Sequence, residues 1–180
     1  IYTLSLHDAL PILVIIDSEE RRAVDEVIES GMLAQGPKVA ELEKNWAEYC
    51  GVKHALAVNS GTAAIHCALY AAGVKEGDEV ITTPYSFIAT INPILMLGAR
   101  PVLVDIDEET FNIDVSKIEA AITEKTKAIV PVDLYGQPCD WAELQEIAKK
   151  HDLKIIEDAC QAIGAEYKGI KAGEIGRAHV

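Results

Sequence analysis

The sequence predicts an α/β fold, a three-layer α/β/α arrangement around a mostly parallel sheet. Three observations predict it. Short apolar runs alternate with stretches of helical periodicity from His54 to Glu157. Such alternation implies parallel strands joined by right-handed crossovers, with helices packed back on both sheet faces. No Pro/Gly/Ser-rich linker or shift of composition interrupts the run, so a single domain holds it.

The elements follow in order. Asp17 with Glu20 three residues on has the pattern of a capping box; Val24, Val27 and Ile28 then share a helical face, and Ser30-Gly31 stops the helix. Pro37 suits a first helical turn, Val39, Leu42, Trp46 and Tyr49 recur at helical spacing, and Gly51 ends a second helix. A strand is expected at 54–58, a helix at 62–72, a strand at 79–83 and a helical stretch around 88–97. A strand at 101–105, a helix at 114–122 and a strand at 127–132 come next. The Asp140/Glu143 pair opens a further helix as a capping box, ending near Lys149 and Lys150, and a short apolar strand at 154–157 runs into Asp158.

Composition excludes several classes of function. The 180 residues carry 29 acidic and 16 basic side chains, a net charge of −13 with no basic block, which argues against a nucleic-acid partner. No apolar run approaches the roughly 18 residues a spanning helix needs, so no membrane role is expected. Cys50, Cys67, Cys139 and Cys160 are widely spaced and include no C-x-x-C, which suggests neither a disulfide framework nor a metal site and points to the cytoplasm.

The ends read differently from the rest. Residues 1–12 (IYTLSLHDALPI) begin without Met, have no periodicity, and back-translate codon by codon into a run resembling a short-read sequencing adapter. Residues 175–180 (IGRAHV) back-translate into one resembling the opposite adapter. The expectation is a cut fragment: residues 13–174 natural, flanked by two non-native segments.

In a parallel sheet the ligand crevice lies beyond the carboxyl ends of the strands, so the residues just after each strand carry the chemistry. Asn59-Ser60-Gly61-Thr62 opens a helix whose first amides lack backbone partners and whose dipole favours an anion; Ser60 reads equally as a phosphate donor or an N-cap. No G-x-G-x-x-G exists, and the stretch from Gly31 to Gly36 is followed by Pro37 where a Walker loop needs Lys. Phe87, in Pro84-Tyr85-Ser86-Phe87, either stacks on a flat ring or packs in the core. Asp158 ends a buried apolar run; it is either a helix N-cap or a carboxylate in need of a cationic partner, which a protonated pyridine nitrogen would supply. Phosphate loop, aromatic plate and carboxylate together describe a cradle for pyridoxal phosphate, whose ring acts as an electron sink while its nitrogen stays protonated.

At this level of detail the sequence resembles a family. NSGTAA (59–64), GDEVITTPYSFIATIN (77–92), GARPVLVDID (98–107), KTKAIVPVDLYGQPCD (125–140) and IIEDACQAIGAEYKG (155–169) are similar to the DegT/DnrJ/StrS sugar aminotransferases, and SGMLAQGPKVAELE (30–43) resembles that family's N-terminal helix pair. The resemblance implies the large domain of a fold-type I pyridoxal-phosphate enzyme, truncated here. It also implies a homodimer in the full-length parent that moves an amino group from glutamate to a keto group of a nucleotide-linked sugar. On this resemblance Gly61 and Thr62 match the phosphate loop, Phe87 the ring-stacking aromatic, Asp158 the pyridinium partner and Gln161 the residue that bonds the ring hydroxyl. Asp133 departs from the pattern, standing where many members have His. The family's Schiff-base lysine lies nearly thirty residues after the Asp, so no catalytic residue is expected in this chain and the fragment itself is expected to be inactive. Lys168 and Lys171 are too close to Asp158 to match it and read as solvated hairpin residues.

Two other readings remain: a non-catalytic regulatory or binding member of the same fold, and another fold-type I enzyme such as a desulfurase or lyase, against which the DLYGQPCD and EDACQAIGA runs argue. As a fragment, the chain is expected to leave Leu42, Trp46, Leu69, Ile155 and Ile156 partly uncovered.

Overall fold

The structure, a computed structural model, describes residues 16–174. The expected non-native segments 1–12 and 175–180 lie outside the described residues.

Helix α1 (Ser18–Ser30) forms where the capping box places it: Asp17 accepts from the Glu19 amide at 2.8 Å while Glu20 accepts from the Asp17 amide at 2.9 Å. Gly31, in the left-handed conformation, closes it. Helix α2 (Pro37–Tyr49) starts on its proline and ends at Cys50. The expected apolar faces of these two helices are largely uncovered: Val24, Ile28, Leu42 and Trp46 are exposed, whereas Ala47 and Cys50 are buried.

Helix α3 (Gly61–Ala71) leads into β1 (Glu79–Thr82). The stretch expected to be helical around 88–97 divides at Ile91 into a 3-10 turn (Ile88–Thr90) and the short α4 (Asn92–Met96). The chain continues through β2 (Arg100–Leu103), α5 (Val115–Ala121), β3 (Thr126–Ile129), α6 (Trp141–His151) and β4 (Lys154–Ile155). It ends in a hairpin, β5 (Glu166–Tyr167) and β6 (Ile170–Lys171).

The main sheet has the order β2-β1-β3-β4, and every pair is parallel. Successive residues face opposite sides, as the two-residue period of a strand requires. Ile81 and Ile129 enter one core with Ile118, Trp141 and Leu144 from α5 and α6. Val80, Ala128 and Val130 enter the other with Leu69 and Ile94 from α3 and α4. Those two cores are the interfaces of the expected three layers. Leu69, Ile155 and Ile156, expected to be partly uncovered, belong to these cores and are buried, because α3 and β4 find their partners within the described residues.

The paired backbone runs past the regular strands: Ile156 donates to the Ile129 carbonyl, Asp158 to the Pro131 carbonyl and Asp133 to the Asp158 carbonyl. This extension carries residues 132–133 and 158 to the sheet's carboxyl edge. Two further expectations fail. Residues 54–58 form no strand, since no strand among the described residues lies beside them; Leu56 is 77% exposed. Asp140 makes no side-chain cap on α6. Its ψ of 74° is far from the extended values of Asp17 and Ser60, the backbone form in which a cap side chain folds back on the first amides.

Candidate active site

Five sequence-predicted residues, Gly61, Thr62, Phe87, Asp158 and Gln161, line one cavity of about 360 Å³ at the carboxyl edge of the sheet. Its floor comes from the start of α3, one wall from the loop after β1, and the other from the extension of β3 and β4.

At the α3 end Ser60 takes the capping role while still lining the cavity. Its Oγ accepts from the Ala63 amide at 3.1 Å, so it is the N-cap. Ala64 bonds the Ser60 carbonyl, and the amides of Gly61 and Thr62 are left as orphan donors at the positive end of an 11-residue helix. Gly61 is needed for packing: a Cβ there would lie 2.9 Å from Cys160 Sγ.

Asp158 is 5% exposed and is no helix cap. Its Oδ2 accepts from the Thr90 hydroxyl at 2.7 Å, and its Oδ1 from the Cys160 amide at 3.3 Å. Both donors are neutral. A buried carboxylate held this way favours a cation on its open side. Cys160 feels the same wall: burial, and then its contact with Asp158, pushes its thiol up to about 11, so it stays protonated. Phe87 is 72% exposed, which removes the core-packing reading and leaves its ring at the cavity mouth. Gln161 accepts at Oε1 from the Tyr135 amide at 2.8 Å. Among the described residues that line the cavity there is no Lys or Arg.

The arrangement fits pyridoxal phosphate by the chemistry of its donors. Two orphan amides and the Thr62 side chain are donors of the kind a phosphate would take, an exposed ring could cover a pyridine face, and a buried carboxylate could face a ring nitrogen. The cavity also lies within the usual size range of cofactor pockets.

Asp133 sits elsewhere. It does not line the cavity but is fully buried behind it, where Oδ1 accepts from the Cys139 amide at 2.9 Å and no group among the described residues stands in hydrogen-bond geometry to Oδ2. Neighbouring strand residues alternate sides: Val132 lines the cavity, so Asp133 faces the core of α5 and α6. The two hairpin lysines are also placed. Lys168 lies over the Tyr167 ring, but Lys171 is not simply solvated: its Nζ donates to the Tyr49 carbonyl at 2.9 Å and lies 4.0 Å from that ring's centroid.

Sequence reasoning missed Thr90 and Cys160 in the wall. No local pattern marks a threonine whose partner is 68 residues away.

The model of the DegT/DnrJ/EryC1/StrS aminotransferase family matches residues 14–180. GDP-perosamine synthase of Caulobacter vibrioides is 49% identical over 162 residues, which are 89% of this chain and 44% of that protein. A pleiotropic regulatory protein of Geobacillus stearothermophilus is 53% identical over 160 residues, 89% and 43% of the two chains. Among solved structures, S. venezuelae DesV superposes with a TM-score of 0.84 at 41% identity, over 87% of this chain and 42% of that one. NtdA from Bacillus subtilis with bound cofactor PMP gives 0.84 at 42% identity, over 91% and 38%. The chain thus spans less than half the length of each of these relatives.

Proposed function

The chain belongs to the DegT/DnrJ/EryC1/StrS aminotransferase family, and from that premise we propose that it is the cofactor-binding part of a sugar aminotransferase. The reaction is transfer of an amino group from glutamate to a keto group of a nucleotide-linked sugar, and the full-length parent works as a homodimer in the cytoplasm. The observation that carries this reading is the buried Asp158, held by Thr90 and the Cys160 amide in the wall of the cavity that the orphan amides of α3 also face.

When bound, pyridoxal phosphate supplies an electron sink for the proton shift at the amine-bearing carbon. The chain's own residues do the rest. Gly61 and Thr62 bind the phosphate through their amides, with the helix dipole behind them. Phe87 covers one ring face and so excludes water from it. Asp158 holds the proton on the ring nitrogen, and Gln161 bonds the ring oxygen. None of the lysines in the described residues lines the cavity, so the amine that would carry the cofactor and move the proton is assigned to a lysine outside them. This polypeptide by itself is therefore proposed to transfer no amino group. The regulatory name of the G. stearothermophilus relative supports a second reading, in which the parent keeps the cradle but acts as a non-catalytic regulator.

The test is pyridoxal phosphate binding by the 180-residue chain, measured by equilibrium dialysis for the wild type and Asp158→Asn. Weaker binding by the Asn variant is expected, because the charge opposite the ring nitrogen is gone. Equal affinity would overturn the assignment of Asp158. Amino transfer by this chain, with the cofactor trapped on Lys168 or Lys171 in a separate borohydride-treated sample, would overturn the assignment of that amine to a lysine outside the described residues. Turnover by the full-length parent separates enzyme from regulator.

A further inference from the structure

We infer that Asn112 is a positioning residue for the cradle: through the turn Leu134–Gly136 it fixes the Gln161 carboxamide so that Nε2 is the end left for the ring oxygen. The inference rests on the cofactor reading above for what Nε2 meets, and on the chain alone for how Gln161 is held.

Asn112 is a polar side chain 3% exposed, on the loop between β2 and α5, and it uses both ends of its amide on a different loop. Its Oδ1 accepts from the Leu134 amide at 3.1 Å and its Nδ2 donates to the Gln137 carbonyl at 2.8 Å. These two bonds bracket Tyr135 and Gly136 from both sides. Between them Tyr135 adopts φ 56°, left-handed and unfavourable for a residue with a Cβ, and Gly136 follows at φ 82°. That turn directs the Tyr135 amide to Gln161 Oε1 at 2.8 Å.

Hydrogen-bond chemistry then fixes both carboxamides. A backbone N–H only donates and a backbone carbonyl only accepts, so Asn112 must present oxygen to Leu134 and nitrogen to Gln137. By the same rule Gln161 must present oxygen to Tyr135. Its Nε2 is then the end without a protein partner among the described residues, on a side chain that lines the cavity. A donor there suits a phenolic or phenolate ring oxygen, whereas a carboxamide turned the other way would oppose it with a second acceptor.

The test uses the 180-residue chain, with circular dichroism to establish that each variant is folded. Backbone amide exchange by NMR is compared in the wild type, Asn112→Ala and Gln161→Leu. Losing a bond inside a local opening unit speeds exchange by about tenfold or more. In Asn112→Ala both the Leu134 and Tyr135 amides should speed up, and in Gln161→Leu only Tyr135. Pyridoxal phosphate affinity is then measured for Asn112→Ala, Gln161→Ala and the double variant. If Asn112 acts through Gln161, the double variant binds no more weakly than the weaker single; a merely structural role gives additive losses. If Asn112→Ala fails to fold, Asn112→Asp, which keeps the acceptor for Leu134 and loses the donor to Gln137, takes its place in both measurements, with faster exchange then expected at Tyr135 and not at Leu134. Tyr135 exchange unchanged by the Asn112 substitution, or additive losses of affinity, would overturn the inference. A wild-type chain that shows the exchange pattern but binds no pyridoxal phosphate would instead overturn the cofactor reading and leave the clamp standing.

Discussion

The Thr90 hydroxyl donates to Asp158 Oδ2 at 2.7 Å, joining the 3-10 turn after β1 to the end of the sheet through a bond buried at both ends. Without it, one oxygen of a buried carboxylate would lose its donor. Thr90→Val keeps the shape and removes the hydroxyl, and a lost hydrogen bond to a charged group costs about 1.5–3 kcal/mol. Denaturant titration of the chain should show that loss. Thr90→Ser, which keeps the donor, should recover most of it; a loss in Thr90→Ser with none in Thr90→Val would mean that the methyl, and not the hydroxyl, matters.

Asp133 gives a pH dependence with a definite sign. Burial pushes its carboxyl up from the ordinary carboxylate range, against the opposing pull of the Cys139 amide, Glu157, the Cys139 thiol and Trp141. A carboxyl whose pKa rises on folding binds its proton more tightly in the folded state. Its contribution is full below the unfolded value of about 3.9 and is lost as pH rises through the folded value. Asp133→Asn has no such proton to lose. The melting temperature of the Asn variant relative to wild type should therefore climb between about pH 4 and pH 7. A constant difference across that range would show that Asp133 titrates normally.

Because Asp133 does not line the cavity, restoring the commoner family residue by Asp133→His should change stability more than chemistry. In the full-length parent kcat should stay near normal for Asp133→His and fall by orders of magnitude for Asp158→Asn, which removes the charge proposed to keep the ring nitrogen protonated. Near-normal kcat in Asp158→Asn would remove Asp158 from its role.

Gly61→Ala should change sign with its neighbour. In the wild type a Cβ at Gly61 meets Cys160 Sγ at 2.9 Å, and overpacking of that kind costs about 1–3 kcal/mol. In a Cys160→Ala background the sulfur is gone, and Ala is the better helix former by up to about 1 kcal/mol. Melting temperatures of the four proteins should show Gly61→Ala harmful with Cys160 and neutral or helpful without it. The same penalty in both backgrounds would place the clash elsewhere.

Much of this was legible in the sequence, and for a physical reason. Parallel strands buried on both faces read as apolar runs, and Val80-Ile81 and Ala128-Ile129 give both cores directly. That Phe87, Asp158 and Gln161 come to one cavity was legible because each follows a strand, and topology alone brings strand ends together; Gly61 and Thr62 reach it from the start of α3, with no strand before them among the described residues. Three things were not legible. The run 54–58 looks like a strand, but pairing needs a neighbour that periodicity cannot name. Asp140 has the residue type of a cap, but its backbone torsion is set by the Cys139 turn, where Trp141 bonds the Cys139 carbonyl. Asn112 and Thr90 act through partners 22 or more residues away, and a side chain's long-range partner leaves no local pattern.

The uncovered faces of α1 and α2 bear on how the chain behaves in solution. Val24, Ile28, Leu33, Leu42, Trp46, Leu56 and Tyr70 are all exposed large hydrophobics, and none of them belongs to either core. Several hundred Å² of apolar surface left in water, at roughly 25 cal/mol per Å², forfeits several kcal/mol, comparable to the net stability of a whole domain. Apolar patches of that size, with the run at 54–58 in no strand and held to α2 where the Ala57 amide donates to Glu43, favour association with other copies over a clean monomer. Light scattering during thermal unfolding should therefore report soluble aggregates. Leu33→Lys with Leu56→Lys should reduce them without lowering the melting temperature, because both side chains already stand in solvent. A monodisperse wild-type particle with one cooperative transition at high temperature would show that these faces are tolerated in water, and the argument from exposed area would fail.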